Sequence, residues 1–302
     1  SEQARTHLMA GLEVMSPRGT DSAGVLLVGS EGRSQICKAA GRPAFPTLRS
    51  KLTREDVIAA VSGLGHIRWA TQGMVTEANA HPHRSGIWAV VHNGNIDHAS
   101  LEALRTSLVM DVIADDATDT SIFVMAWSRF CEAEQAAGRE ITRTTFEAFL
   151  TRVEGTNAFV LMNLTQPQQL FVAVQGAAEL YVARGTDGGV YVVSSPGALQ
   201  GIATTYTAIA PGAHVFTSDQ SSWLGEARVV DLGAPPPSTH GFDHIMAAEL
   251  FHVPEAVRRV NNAATDRPMR ELLPASLLDP ATAPDEIILI ACGSSLYAAE
   301  YV

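Results

Sequence analysis

Apolar residues recur at two different spacings along the chain, and these spacings predict where helices and strands lie. Leu8, Met9, Leu12 and Met15 stand at helical intervals within residues 4–15, which is typical of an amphipathic helix. The segment SPRGT follows with a proline and a glycine, and these residues should end that helix. The apolar run AGVLLVG comes next and predicts a short buried strand.

The same analysis predicts a mixture of helices and strands over most of the chain. Further helices are expected near 98–108, 119–136 and 143–152, and further strands near 65–70, 86–92, 157–163, 169–175, 189–194 and 226–231. Turn signals such as GTDGG and APGA separate the later apolar runs. Because helices and strands do not alternate regularly, the pattern favours antiparallel sheets over a doubly wound parallel sheet.

A change of composition at residues 233–241 (GAPPPSTHG) predicts a domain boundary. Three consecutive prolines favour an extended, semi-rigid connector. We therefore expect a first domain at 1–232 and a linker at 233–282, with a helix near 243–262. The run EIILIACGSS then predicts a buried strand and a small-residue turn, which would begin a second domain at 283–302.

Charge and cysteine usage exclude several classes of function. The 302 residues carry a net charge of −11, so the protein should repel nucleic acid and anionic membranes. No apolar run reaches the roughly 18 residues that a membrane-spanning helix needs. Cys37, Cys131 and Cys292 form neither a CxxC pair nor a disulfide framework, which indicates a reducing compartment. We expect a cytoplasmic protein in which Cys37 and Cys131 are packing residues.

The densest chemical signal lies at residues 65–97, although each part of it has an ordinary explanation. Asn93-Gly94 is a common turn signature. A metal site is not expected, because neither helical HxxxH spacing nor a neighbouring carboxylate accompanies the four histidines, which are His66, His81, His83 and His92.

The combination of these residues is harder to explain by structure alone. Arg68, at a strand end beside a glycine-containing loop, suits a small carboxylate. The Asn93 amide beside the Gly94 N–H offers two donors that could converge on one oxygen, as an oxyanion hole requires. Asp119 begins a predicted helix, where the dipole alone favours a carboxylate, yet it could equally bind an ammonium. Together these residues predict a site for an amino acid whose side-chain carbonyl is attacked.

Several runs of this chain stand in a characteristic order and at characteristic intervals. They are RGTDSAGV (18–25), GHIRWATQG (65–73), NAHPH (79–83), VVHNGNI (90–96), the region of Asp119, HIMAAELFHVPEAV (244–257) and ACGSS (291–295). The first five resemble motifs of the class II glutamine amidotransferases, and RWAT followed by NAHPH resembles the sugar-phosphate aminotransferase branch of that family. The run at 244–257 resembles a hinge helix, and ACGSS resembles the first phosphate loop of a sugar isomerase (SIS) domain.

The resemblance implies an α/β fold, a four-layer αββα sandwich of the N-terminal nucleophile hydrolase type, followed by a linker and the first strand of a SIS domain. It also implies glutamine hydrolysis through a cysteinyl thioester, with transfer of ammonia to fructose 6-phosphate. A homodimer formed through SIS domains is expected, with no metal or organic cofactor. Two alternatives stay open: a glutamine amidotransferase with another acceptor, and a non-catalytic regulator that binds glutamine or sugar phosphate.

The resemblance also implies roles for individual residues. Arg68 would bind the α-carboxylate of glutamine, Asp119 its α-ammonium, and Asn93 with Gly94 would form the oxyanion hole. The other implied binding residues are Trp69, Thr71 and Gly73 in a loop over glutamine, His81 in the glutamine pocket, and Ser294 and Ser295, which follow a strand at a helix start where anions bind and would hold the sugar phosphate.

The family nucleophile is an N-terminal cysteine on a strand that precedes the first helix, and its own α-amine acts as the base. Ser1 leads directly into that helix, so we reject it as the nucleophile, and the three cysteines do not match the position. The sequence is therefore expected to be an inactive fragment of a longer enzyme. Gln72, Thr20 and Ala247-Ala248 depart from the family pattern, which puts the acceptor sugar and domain coupling in question.

Overall fold

The computed structural model describes residues 3–54, 57–70, 74–108, 117–218 and 227–230. The helices in these ranges are α1 (Gln3–Met15), α2 (Ala44–Arg54), α3 (His98–Ser107), α4 (Asp119–Ala136) and α5 (Arg143–Leu150). The strands are β1 (Ser22–Gly29), β2 (Ser34–Ala40), β3 (Ala60–Arg68), β4 (His83–Ser85), β5 (Trp88–Ile96), β6 (Gly155–Asn163), β7 (Gln169–Gln175), β8 (Tyr181–Arg184), β9 (Val190–Val193), β10 (Thr205–Ala208), β11 (Gly212–Thr217) and β12 (Ala227–Val229).

The described strands form three antiparallel sheets. Their strand orders are β2-β1-β3, β11-β7-β6-β5-β4 and β12-β10-β8-β9. This arrangement confirms the predicted antiparallel character. The predicted linker, its helix and the start of a second domain, all within 233–302, lie outside the described residues.

The five-stranded sheet is buried on both faces. One face packs Trp88, Phe159 and Phe171 against α3, α4 and α5. The opposite face packs against β1, β3 and β8 through residues such as Leu26 and Leu64. Alternate residues of β1, among them Val25 and Leu27, instead face α1 and α2. The order of layers is therefore helix, sheet, sheet, helix, as predicted.

Aromatic packing fixes the position of α4. Trp127 is fully buried and its ring centre lies 5.1 Å from those of Trp88 and Phe146. Burying a large side chain of this kind contributes on the order of 2–3 kcal/mol. At the helix start, the Thr118 side chain accepts a hydrogen bond from the Ser121 N–H and caps the helix. Core packing and the cap together define where the first residue of α4 lies.

Several sequence predictions are confirmed and others are wrong. α4 has the predicted bounds, and Cys37 and Cys131 are buried free thiols. The strand expected at 65–70 instead spans β3, because pairing with β1 extends from Arg68 back to Ala60. Neither α2 nor β2 was predicted. No helix in the described ranges is both long and apolar enough to cross a bilayer.

Replacing Leu26 by alanine should test the core between the two sheets. Leu26 is completely buried, so Leu26→Ala should lower the free energy of unfolding by about 2–5 kcal/mol. Val14→Ala is the control, because Val14 is 48% exposed and should change stability by less than about 0.5 kcal/mol. Urea unfolding followed by circular dichroism measures both, and equal effects would contradict this description of the core.

Candidate functional site

One cavity of about 1030 Å³ collects every predicted site residue that the structure describes. β3 ends at its edge, β5 crosses it, and α4 begins beside it. The predicted residues that line it are Arg68, Trp69, His81, Asn93, Gly94 and Asp119. The remaining predicted residues, Thr71, Gly73, Ser294 and Ser295, lie outside the described ranges.

Arg68 is the last residue of β3 and is 7% exposed. Burial lowers the pKa of its guanidinium, and the carboxylates of Asp119 and Asp21 oppose that change. An arginine keeps its charge in proteins because its intrinsic pKa is so high. The cavity therefore contains a largely desolvated cation, which strengthens its attraction for an anionic ligand.

Asn93 and Gly94 lie within a strand, so the predicted turn at these residues is wrong. β5 continues to Ile96, because its pairing with β6 includes Asn93↔Ala158 and Gly94↔Asn157. Gly94 has φ +140°, and a Cβ built there would lie 2.0 Å from the Thr156 carbonyl oxygen. Only glycine therefore fits this position, where the backbone faces the cavity.

Asp119 is the first residue of α4, and its carboxylate joins that helix to β5. Oδ1 accepts a hydrogen bond from the Thr120 N–H at 2.7 Å, and Oδ2 accepts one from the Ile96 N–H at 3.3 Å. The helix dipole also favours a negative charge here. Asp119 therefore stabilises the start of α4, and its carboxylate also lines the cavity.

His92 of β5 connects β6 to the start of α4 through hydrogen bonds. With the amide nitrogen of Asn157 turned towards it, His92 Nε2 accepts a hydrogen bond at 3.0 Å. Nδ1 then donates to Thr120 Oγ1 at 2.9 Å, and that hydroxyl donates to Asp119 Oδ1 at 3.1 Å. Burial lowers the pKa of His92, so the ring is neutral at pH 7. The chain of hydrogen bonds orients the carboxylate.

The other three histidines form a row of contacting rings, and two of them, His66 and His81, line the cavity. The Nδ1 atoms of His81 and His66 lie 3.1 Å apart, so one ring donates to the other. His83 Nε2 lies 3.0 Å from Thr118 Oγ1. Burial lowers the pKa of His66 and of His83 to about 3, and lowers that of His81 well below its ordinary value. The row is therefore neutral at physiological pH.

The described ranges contain no group of three or more His, Cys, Asp or Glu side chains that could hold a metal ion. The Thr–His contacts at the site were not predicted. The alternation TDT at 118–120 was a usable signal, because it places a hydroxyl on each side of the carboxylate.

The same cavity continues as a groove between two strand edges, β3 and β9. Among the described strands, β3 pairs with β1 and β9 pairs with β8, each on one side. α1 and the turn that follows it bridge the groove. His7 Nδ1 of α1 lies 2.6 Å from Tyr191 Oη, and Nη1 of Arg18, in the following turn, donates to the Ser194 carbonyl at 3.3 Å. Tyr191 in turn donates to Asp187. Sequence analysis did not identify these groove residues.

Comparison with known proteins identifies a family whose sequences resemble this chain. The sequence model of class-II glutamine amidotransferases matches residues 19–184. Glutamine–fructose-6-phosphate aminotransferase (isomerizing) of Lactococcus lactis is 37% identical over 175 residues, covering 57% of this chain and 27% of the relative. The enzyme of the same name from Bacillus spizizenii is 28% identical over 306 residues, covering 98% and 49%. The chain thus spans about half the length of such relatives, or less.

Among solved structures, the glutamine phosphoribosylpyrophosphate amidotransferase of Bacillus subtilis superposes with a TM-score of 0.51. It is 20% identical, and the match covers 71% of this chain and 47% of that one. At this level of identity the likeness concerns the fold alone. Together with the four layers, it confirms the predicted N-terminal nucleophile hydrolase fold.

Gly94→Ala should destabilise the protein far more than a matched glycine substitution. Gly138 also has positive φ, but a Cβ there would meet nothing within 4 Å. Gly138→Ala therefore isolates the backbone strain, about 1 kcal/mol. Gly94→Ala adds a clash with the Thr156 carbonyl and should cost about 2–4 kcal/mol. Thermal and urea unfolding of both variants measures the difference, and equal costs would refute the crowding at Gly94.

Buried His83 should make stability fall in mild acid. Its folded-state pKa is about 3 against an ordinary 6.5, so below pH 6.5 the unfolded chain binds a proton that the folded protein does not. Stability present above that pH is therefore lost as pH falls, by about 2 kcal/mol between pH 7.5 and pH 5 for this residue. His83→Gln should flatten the pH profile of unfolding, measured by urea titration; a profile parallel to wild type would contradict the assignment.

Proposed function

Because this chain belongs to the class-II glutamine amidotransferases, we propose that its cavity binds glutamine and supplies ammonia to a sugar-phosphate acceptor. The observation that carries the proposal is the convergence of Arg68, Asn93-Gly94 and Asp119 on one cavity. The acceptor we propose is fructose 6-phosphate, which gives glucosamine 6-phosphate and glutamate. The names of the curated relatives support that choice.

Each group in the cavity matches one part of glutamine. The buried Arg68 guanidinium would bind the α-carboxylate through paired N–H donors. Asp119, held by backbone N–H groups and Thr120, would accept from the α-ammonium. The Asn93 amide and the Gly94 N–H would donate to the amide oxygen as it becomes an oxyanion. His81 and Trp69 would complete the pocket wall, with Thr71 and Gly73 in the loop over the substrate.

The nucleophile is proposed to be an N-terminal cysteine on a strand that occupies the groove between β3 and β9. Two strand edges suit such a strand, because it could pair on both sides, and apolar residues such as Val160, Leu170 and Phe216 line the same cavity. The thiol sulfur would bond to the amide carbon while its proton passes to the α-amine. The C–N bond then breaks, that proton leaves with ammonia, and water hydrolyses the thioester to glutamate.

The remaining roles concern parts of the protein outside the described residues. Ser294 and Ser295 would hold the sugar phosphate at a helix start. The protein would act in the cytoplasm as a dimer formed through SIS domains. No metal or organic cofactor is required by this chemistry.

Glutamate release by the full-length protein, with and without fructose 6-phosphate, tests the proposal. Release should rise with the sugar phosphate and stop when the N-terminal cysteine is replaced by alanine. Arg68→Lys should lower kcat/KM by about 10- to 100-fold through KM, because the bidentate fork is lost. Asn93→Ala should lower kcat by about 100- to 1000-fold. Arg143→Ala, an exposed residue of α5 paired with Glu147, should leave both constants unchanged.

Other outcomes would select a different function. Glutamate release that does not respond to fructose 6-phosphate, but does respond to another acceptor, would reject the proposed acceptor. Glutamine binding by calorimetry without any release would reject catalysis and favour a regulator that binds glutamine.

A further inference from the structure

The segment Gly19–Asp21, part of the RGTDSAGV run, lies between two other parts of the backbone. On one side the Asp21 N–H donates to the Arg68 carbonyl at 3.1 Å, and a Cβ at Gly19 would lie 2.7 Å from the Arg68 carbonyl carbon. On the other side the Gly41 N–H donates to the Asp21 carbonyl at 2.8 Å. The segment is therefore clamped between the end of β3 and the turn that precedes α2.

The Asp21 side chain extends this connection to the residues that follow β3. Its carboxylate is buried, with Oδ1 accepting from Arg42 Nε at 2.6 Å and Oδ2 accepting from the Ala70 N–H at 2.9 Å. Hydrogen bonds from Arg42 and then Ala70 hold the pKa of Asp21 below its ordinary value. The carboxylate is thus ionised at physiological pH and joins Arg42 to the backbone beyond Arg68.

Arg42 makes a second contact with the same short stretch. Its guanidinium carbon lies 5.5 Å from the centre of the Trp69 ring, a cation–π arrangement. Trp69 is 59% exposed and also lines the cavity. The core therefore does not fix this indole, and Arg42 supplies one of its contacts.

We propose that Asp21 and Arg42 are positioning residues for glutamine binding, Asp21 through the Ala70 N–H and Arg42 through the Trp69 ring. This inference rests on the proposed function of the cavity. Neither residue lines the cavity that holds Arg68 and Asp119, so neither is a catalytic residue. Their action is to set the direction in which the chain leaves β3 and to keep the Trp69 indole beside Arg68.

The position of Trp69 can be followed without any enzyme activity. Trp69 is one of four tryptophans in these 302 residues, and full-length protein labelled with 5-fluorotryptophan should give one ¹⁹F resonance for each tryptophan it contains. Loss of one in Trp69→Phe identifies Trp69. Arg42→Ala should shift that resonance and leave those of the buried Trp88 and Trp127 in place. Arg49→Ala, which removes an exposed arginine of α2 paired with Glu13, should shift none of the three.

Kinetics of glutamate release then test whether the position of Trp69 affects glutamine binding. Arg42→Ala and Asp21→Asn should raise KM for glutamine by about five- to tenfold, with kcat changed less than about twofold. Arg42→Lys keeps the charge without the planar fork, so it should recover part of the loss. A purely structural role would instead lower the melting temperature of Arg42→Ala without changing KM.

Two results would overturn the inference: a Trp69 resonance that Arg42→Ala does not move, or a KM equal to that of Arg49→Ala. Because the Arg42 side chain is 65% exposed, Arg42→Ala should fold, and it decides the question if Asp21→Asn is unstable. If wild-type protein releases no glutamate, the proposed function fails, whereas the resonance still decides whether Arg42 positions Trp69.

Discussion

The pairing of β5 with β6 is the constraint on which the site depends. Their ladder runs from Trp88↔Asn163 to Ile96↔Gly155 without a register shift. Side chains alternate along it, so Trp88 and Val90 join the aromatic core under the helices, whereas Ala89 joins the core between the sheets. A slip of one residue would reverse both sets. The two large cores therefore fix which groups of the β5 segment at 92–94 face the cavity.

The same packing also fixes the position of Asp119 relative to β5. The His92 ring stacks on Phe159 at 4.3 Å between ring centres, and Phe159 stacks on Phe123 of α4 at 4.1 Å. Because α4 is held by this aromatic column, its first residue Asp119 has a defined position relative to β5. Sites on rigid, well-packed elements hold their geometry best. Trp69 differs, since its side chain is 59% exposed and belongs to none of the three cores described above.

Local signals predicted the parts of the structure that local interactions decide. α4 was predicted with its observed bounds, because Asp119 marks its start and apolar residues fill the turns that follow. The Asn93-Gly94 turn was wrong because pairing with β6, more than sixty residues away along the chain, continues the strand. α2 was missed although Phe45, Leu48 and Leu52 have helical spacing, a signal that the sequence did carry. Contacts such as those of Asp21 with Arg42 and with Ala70 follow no spacing rule, since the fold alone brings those segments together.

The register between β1 and β3 explains why two separate sequence runs act as one unit. Ser22 lies directly opposite Arg68 in the antiparallel ladder. The residue before Ser22 must then lie near the residue after Arg68, which places Asp21 beside Trp69 and within reach of the Ala70 N–H. RGTDSAGV contains the start of β1 and GHIRWATQG contains the end of β3, so the two runs meet at the same end of this strand pair. The chain between them forms β2 and α2, and it also supplies Gly41 and Arg42, which donate hydrogen bonds to Asp21.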